Sequence, residues 1–135
     1  MKKCIFCAIV AGEAPAYIIY RTTYAMAFLD IYPVSKGHTL IASNYHYRDI
    51  LETPDDVLTE LVRLAKAIAR AQREALGAEG VRLIQNNGSI AGQEIFHIHF
   101  HVIPYYPGTV HSRRLISIEE GNEISKKLSK SLRLD

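Results

Sequence analysis

Three histidines recur at alternate positions in His97-Ile98-His99-Phe100-His101-Val102-Ile103. Polar and apolar residues alternating at period two are the pattern of a half-buried strand. The pattern predicts a strand over 95–104, with the three imidazoles on one face and Ile98, Phe100 and Val102 in the core. Ser or Thr would serve as well for a merely polar face, so three imidazoles there point to chemistry. Neutral imidazole is a competent nucleophile at phosphorus, and the protonated ring stabilises phosphate oxygens or hands a proton to a leaving group. A single ion shared by all three is disfavoured. Same-face neighbours lie about 6.7 Å apart, and His97 and His101 roughly 13 Å. A pair can chelate, so the geometry implies divided labour. The preceding stretch, Gln85-Asn86-Asn87-Gly88-Ser89-Ile90-Ala91-Gly92-Gln93, offers amides and backbone N–H groups that suit phosphate oxygens, and a plain turn would use the same residue types.

Cys4 and Cys7 are the only two cysteines. A lone C-x-x-C is compatible with a redox pair, a disulfide or half of a zinc site. No strand precedes it to build a thioredoxin-like unit. Tetrahedral zinc would need two further ligands from elsewhere.

These groups must be held by surrounding elements. Residues 4–11 read as a short helix ending near Gly12. Tyr17–Arg21 and Tyr24–Asp30 read as strands joined at Thr22-Thr23, and His38–Ser43 as a third. The clearest helix runs from Asp55 to Leu76. Thr53 is expected as its cap, Pro54 at its first position and Asp56 as a capping-box acid, and Gly77 should stop it. Val57, Leu58, Leu61, Leu64, Ala65 and Ile68 recur at three- and four-residue steps and define its buried face. Val81–Asn87 is expected as a strand, 88–92 as a loop and Glu119–Arg133 as a helix. Several strands, one long helix and more strands predict an α+β domain with a mostly antiparallel sheet of about five strands.

The 135 residues include sixteen basic and fourteen acidic side chains, a formal net charge of +2. That length suits one domain over 1–135 with a core of its own. The charge balance argues against a dedicated nucleic-acid surface. No apolar run approaches the roughly 18 residues that span a bilayer, so no membrane partner is expected. The apolar stretch after Lys2-Lys3 is short and holds both cysteines, which cleavage after Ala16 would discard. A cytoplasmic location is expected.

The sequence resembles the histidine triad (HIT) family, in the branch related to the Hint phosphoramidases. The resemblance rests on Gly92-Gln93-Glu94-Ile95-Phe96 followed by the alternating histidines and Pro104, on Gly12-Glu13-Ala14-Pro15-Ala16, on Ala27-Phe28-Leu29-Asp30 and on Lys36-Gly37-His38-Thr39-Leu40. It covers residues 4–107 and leaves the tail, 108–135, without an assigned role. It implies a HIT-like fold and a hydrolase or transferase acting at the α-phosphate of a purine nucleoside phosphoramidate or (di)nucleoside polyphosphate. His99 would form a covalent nucleotidyl-histidine that water resolves to a nucleoside monophosphate. His101 and His38 would serve the phosphate, and Asn86 and Gln93 would donate to it or to the leaving group. Asp30 would accept from the ribose hydroxyls, and Phe28, Ile31, Ile5, Phe6 and Ile9 would wall the purine.

The same resemblance implies one structural zinc per chain on Cys4, Cys7, His46 and His97, no organic cofactor, an AMP-type ligand and a homodimer. His111 is left without a role. Glu94 stands where the family's common pattern has a serine. A carboxylate there would repel a polyphosphate leaving group and accommodate a cationic amine. Two other readings compete: a hydrolase with a catalytic metal on His97 and His99, and a nucleotide-binding protein without turnover.

Overall fold

The structure, a computed structural model, describes residues 4–108 and 113–135; His111 lies outside them. Five strands form one antiparallel sheet: β1 (Ile18–Arg21), β2 (Ala25–Leu29), β3 (Thr39–Ser43), β4 (Gly80–Ile84) and β5 (His99–Tyr105). Their spatial order is β1-β2-β3-β5-β4. Three helices complete the fold: α1 (Ile5–Val10), α2 (Asp55–Leu76) and α3 (Ile118–Ser131).

Both faces of the sheet are covered, which is why every residue of β2 and β3 is buried. Alternation assigns the faces. Ala25, Ala27, Leu29, Ile41, Phe100 and Val102 meet Leu61, Leu64 and Ile68 of α2 and Ile124 and Leu128 of α3. Met26, Phe28, Leu40 and Ala42 point the other way and pack under Phe6 and Ile9 of α1. His99 and His101, two steps apart on β5, share that second face. β5 is paired on both sides, with His99 opposite Ala42 and His101 opposite Leu40 in the β3 ladder.

Several expectations shift in detail. The histidine strand begins at His99, so His97 lies in a bend before the ladder and the three imidazoles do not share one strand face. β4 ends at Ile84, releasing 85–87 into the following loop. The long helix spans Asp55–Leu76 and stops at a left-handed Gly77. Its start differs from expectation, because Pro54 is the cap residue and no side chain caps it. The Thr53 hydroxyl donates instead to the Asp49 carbonyl at 2.7 Å, closing the preceding turn, and Asp56 accepts from the N–H of Val57. Asp55 and Asp56 still place negative charge at the positive end of the helix dipole.

The tail is part of the fold. Ser117 caps α3 by accepting from the N–H of Glu120 at 3.1 Å. Gly121 lies flat on the Tyr17 ring, where a Cβ would meet ring atoms at 2.4 Å. Arg133 makes a two-point pair with Glu74 of α2.

Candidate active site and metal centre

His38, His97 and His99 are each fixed by a main-chain group at one ring nitrogen, and His101 by the His38 ring; that partner decides what the other nitrogen can do. His99 Nδ1 lies 2.7 Å from the carbonyl of His97, which can only accept. His99 is therefore the Nδ1–H tautomer, with an unprotonated Nε2. Val34 N–H, which can only donate, reaches His38 Nδ1 at 3.0 Å. The His38 proton then sits on Nε2, which lies 3.0 Å from His101 Nδ1 and 3.6 Å from Asp30 Oδ2. Donating to His101 Nδ1 leaves His101 with Nε2–H as the group it offers the cavity. His38 itself is 1% exposed and borders the cavity beside His101.

Burial holds these rings neutral. It lowers His99 below its usual value, against the opposing effects of the His97 carbonyl and Asp30. His38 falls to about 3, through burial first and then His101 and Arg113. His101 falls to about 4, through burial first and then His99 and Arg113.

The histidines open onto a cavity of about 600 Å³, within the range of small-ligand sites. Phe28, Phe6 and Ile9 form its buried walls, and Ile5 and Ile31 stand half exposed at its rim. Phe6 meets Phe28 edge-on at 5.3 Å and His99 edge-on at 4.9 Å, so α1 also braces the proposed nucleophile. Asp30 accepts the N–H of Tyr32 on one oxygen and Arg113 Nη2 at 3.0 Å on the other. Burial pushes the Asp30 carboxyl up, opposed by those two partners. Glu94 is exposed at the cavity edge.

The two amides expected to donate there differ. Asn86 lines the cavity against left-handed Gly92, and its side chain hydrogen-bonds no described residue. Gln93 is 4% exposed, and both its amide hydrogens go to main-chain carbonyls, of Arg48 and Ile95. Its oxygen accepts from the N–H of Gly88. Gln93 thus pins the 88–95 loop and has no free hydrogen for a phosphate.

A second cluster sits beside the first. Cys4 caps α1, and Cys7 follows one turn later, so the spacing stacks both sulfurs at the helix start. The N–H of Ile98 donates to the Tyr47 carbonyl at 2.7 Å, drawing the loop after β3 alongside His97. His97 Nδ1 lies 3.3 Å from Cys4 Sγ and 3.4 Å from Cys7 Sγ, and His46 Nδ1 lies 3.4 Å from Cys7 Sγ. All four donor atoms fall within 4.8 Å of one another. Sulfur–nitrogen edges of a tetrahedral zinc site are about 3.5 Å. His97 Nε2–H donates to the Ser43 carbonyl at 2.7 Å, which directs the Nδ1 lone pair at the sulfurs. Burial and the neighbouring Cys4 push the Cys7 thiol up to about 11, a cost that a cation between the sulfurs would remove. The donor set fits a divalent metal. With both His97 nitrogens engaged this way, a catalytic metal shared by His97 and His99 is not favoured.

Residues 11–108 match the HIT domain family. The chain belongs to that family. The adenosine 5′-monophosphoramidase HNT1 of Saccharomyces cerevisiae is 43% identical over 101 residues, covering 75% of this chain and 61% of that protein. The adenylylsulfatase HINT3 of Arabidopsis thaliana is 40% identical over 103 residues, or 76% of this chain and 52% of its own. A zinc-bound histidine triad family protein from Mycobacterium smegmatis aligns with a TM-score of 0.86 at 38% identity, covering 95% of this chain and 91% of that one.

Three contributors to this HIT-family site went unseen in the sequence. Arg113 reaches Asp30 from a tail with no motif, and only the basic pair Arg113-Arg114 hinted at it. Ser43 orients His97 through its carbonyl, which any residue could supply. Gln72, fully buried on the apolar face of α2, donates to the carbonyls of Gly37 and Val102 and so ties His38's loop to β5. Among the described residues, no helix is long and apolar enough to cross a membrane.

The neutral histidines make stability depend on pH with a definite sign. In the unfolded chain His38 titrates near 6.5, and in the folded chain near 3. Below pH 6.5 the unfolded state therefore binds a proton that the folded state refuses, so stability falls with acidification. Between pH 7.5 and 5, His38 should account for a loss of about 1–2 kcal/mol, with His101 acting in the same direction. Urea titrations at the two pH values measure it, and His38→Gln should shrink the difference, leaving the part due to His101. A midpoint that is constant or rises on acidification contradicts the assignment.

Proposed function

We propose that the chain is a nucleoside phosphoramidase: it cleaves an AMP-type phosphoramidate at the α-phosphate through a nucleotidyl-His99 intermediate. The observation that carries this reading is the unprotonated Nε2 of His99, fixed by the Nδ1–H bond to His97 and opening onto a cavity that ends in Asp30. In the first step the Nε2 lone pair attacks phosphorus and the bond to the leaving amine breaks. The leaving nitrogen takes a proton from solvent and departs as the amine, while His101 Nε2–H and the Asn86 amide hold the phosphoryl oxygens. In the second step water attacks the phosphorus and gives up a proton to solvent, the phosphorus–nitrogen bond to His99 breaks, and a nucleoside monophosphate leaves. Asp30 accepts from the ribose hydroxyls, and Phe28, Phe6, Ile9, Ile5 and Ile31 flank the purine. Glu94 at the cavity edge favours a cationic amine such as lysine over a polyphosphate as leaving group, by charge alone.

Cys4, Cys7, His46 and His97 would hold one zinc, which would supply only a fixed cross-link between α1 and the start of β5. The named relatives that are a phosphoramidase and an adenylylsulfatase support the reaction class. A homodimer is proposed from the family resemblance.

The reaction is tested by incubating the protein with an adenosine phosphoramidate, quenching in base, under which phosphohistidine-type bonds survive, and measuring intact mass. One added adenylyl group on the peptide containing His99 is expected. Turnover without any trapped adduct, or an adduct on another residue, rejects the assignment, and binding without turnover leaves the non-catalytic reading in its place.

A further inference from the structure

Two consecutive arginines straddle Asp30. The N–H of Ile116 donates to the Ile31 carbonyl at 3.0 Å, which lays the extended tail along 30–32. Arg113 Nη2 then reaches Asp30 Oδ2 at 3.0 Å, and its Nε donates to the Tyr32 carbonyl at 2.7 Å. The rest of the guanidinium N–H groups have no partner among the described residues, and its side chain is 51% exposed. Arg113 is also the only Lys or Arg lining the main cavity among those residues. Arg114, the next residue along an extended segment, faces the opposite side. It lines a second cavity of about 290 Å³ that shares Asp30, Val34 and His38 with the first and adds Lys36. Among the described residues, neither Lys36 nor Arg114 has a carboxylate within ion-pair distance.

A carboxylate alone suits ribose hydroxyls. Here one of its oxygens is already bound by a guanidinium with donors to spare, and two more cations stand beyond it. The three carboxylates of the two cavities, Asp30, Glu94 and Glu120, balance these three cations, so what the cluster offers a phosphate is directed N–H donors rather than net charge. Glu120 in the second cavity lies beside the Ser117 hydroxyl of its own helix cap, and Glu94 approaches Asp30 from the main cavity, where Arg113 already bridges to Asp30. A sugar with free hydroxyls leaves the guanidinium unmatched. A phosphate on that sugar would match it, since the planar guanidinium fork binds phosphate oxygens in pairs, and an arginine near a ribose accommodates a phosphate there.

We propose that the Asp30–Arg113 end of the pocket is a subsite for a second phosphate, so that the site takes nucleotides phosphorylated on the ribose at 2′ or 3′ as well as at 5′. This rests on the reading that Asp30 takes the ribose.

The test is equilibrium binding, by calorimetry, of adenosine 5′-monophosphate and of adenosine 2′,5′- and 3′,5′-bisphosphate to the full chain. At least one bisphosphate should bind about 10- to 100-fold more tightly than the monophosphate, and which one does so identifies the ribose position. Arg113→Gln should cut that ratio at least about ten-fold, and Arg113→Lys should retain part of it. An exposed arginine can be replaced without threat to folding, which the thermal midpoint verifies. Three results overturn the proposal. The bisphosphates bind the wild type no better than the monophosphate, or not at all. Arg113→Gln weakens all three ligands equally, which assigns the guanidinium to the 5′-phosphate. Or it tightens all three, which makes Arg113 a plug that the sugar displaces. Because these are affinities, they stand apart from catalysis: a missing His99 adduct rejects the proposed reaction and leaves the bisphosphate ratio to be read by itself.

Discussion

His99→Ala should lower the release of AMP from an adenosine phosphoramidate by a factor on the order of 10⁴ or more. The loss follows from removing the one ring nitrogen that, among the described residues lining the cavity, is both unprotonated and clear of protein partners. His101→Gln should cost less, about 10²–10³-fold, because it removes one donor to the phosphoryl oxygens and leaves the nucleophile in place. His38→Gln should fall near the His101 variant rather than near His99→Ala, since His38 acts by setting the proton position on His101. Initial rates for the three variants, with folding checked by circular dichroism, decide the matter. A His99→Ala protein that keeps a tenth of wild-type activity would falsify the covalent route. A His38 variant as inactive as His99→Ala would contradict the relay and give His38 a direct role.

Removing the metal should have the largest effect on stability. The purified chain should carry about one zinc, and Cys4→Ser or Cys7→Ser should carry almost none. Without the ion, the short apolar face of α1 and one hydrogen bond from Arg21 to the Val10 carbonyl are left to hold Cys4–Val10 to the sheet, and six residues of helix are far too few to persist alone. A loss of several kcal/mol is expected, a fall in thermal midpoint of about 10 °C or more. The effect should reach the pocket, because α1 carries Phe6, which braces His99, and Ile5 and Ile9 of the cavity wall. Metal analysis with a chelator titration followed by differential scanning calorimetry measures both quantities. Thiolates are the ligating form, so zinc affinity should also fall as pH is lowered. A metal-free preparation with an unchanged midpoint would rule out the four-ligand site.

How far the sequence reached is clearest at individual residues. Alternation over 98–103 was enough to put Phe100 and Val102 into the core and His99 and His101 on the opposite face, because side-chain direction in a strand depends only on position parity. The three- and four-residue spacing from Val57 to Ile68 and the glycine at 77 located α2 and its end, while its cap is Pro54 rather than Thr53. Where the strand begins was not legible. His97 has the same spacing as its neighbours and still leaves the ladder, because its two ring nitrogens are held by Ser43 and by the cysteines. Thr53 had the right type and place for a cap, but a carbonyl four residues upstream competed for its hydroxyl. Gln93 had the right chemistry for a phosphate donor and spends both hydrogens on its own loop.

The sequence by itself determined which chemistry was available: imidazoles in alternation, a thiol pair one helical turn apart, a carboxylate after a buried strand, and an antiparallel α+β frame to hold them. These are local properties, set by residue type and period. Only the tertiary structure decided which nitrogen of each imidazole carries the proton, because that depends on what lies against the other nitrogen. For His99 it is the His97 carbonyl, for His38 the Val34 N–H, and for His97 the Ser43 carbonyl 54 residues away. The same holds for Arg113, 83 residues from Asp30 and joined to it only because the tail docks beside Ile31. A main-chain group leaves no mark in the sequence, since every residue type can supply a carbonyl and every one but proline an N–H.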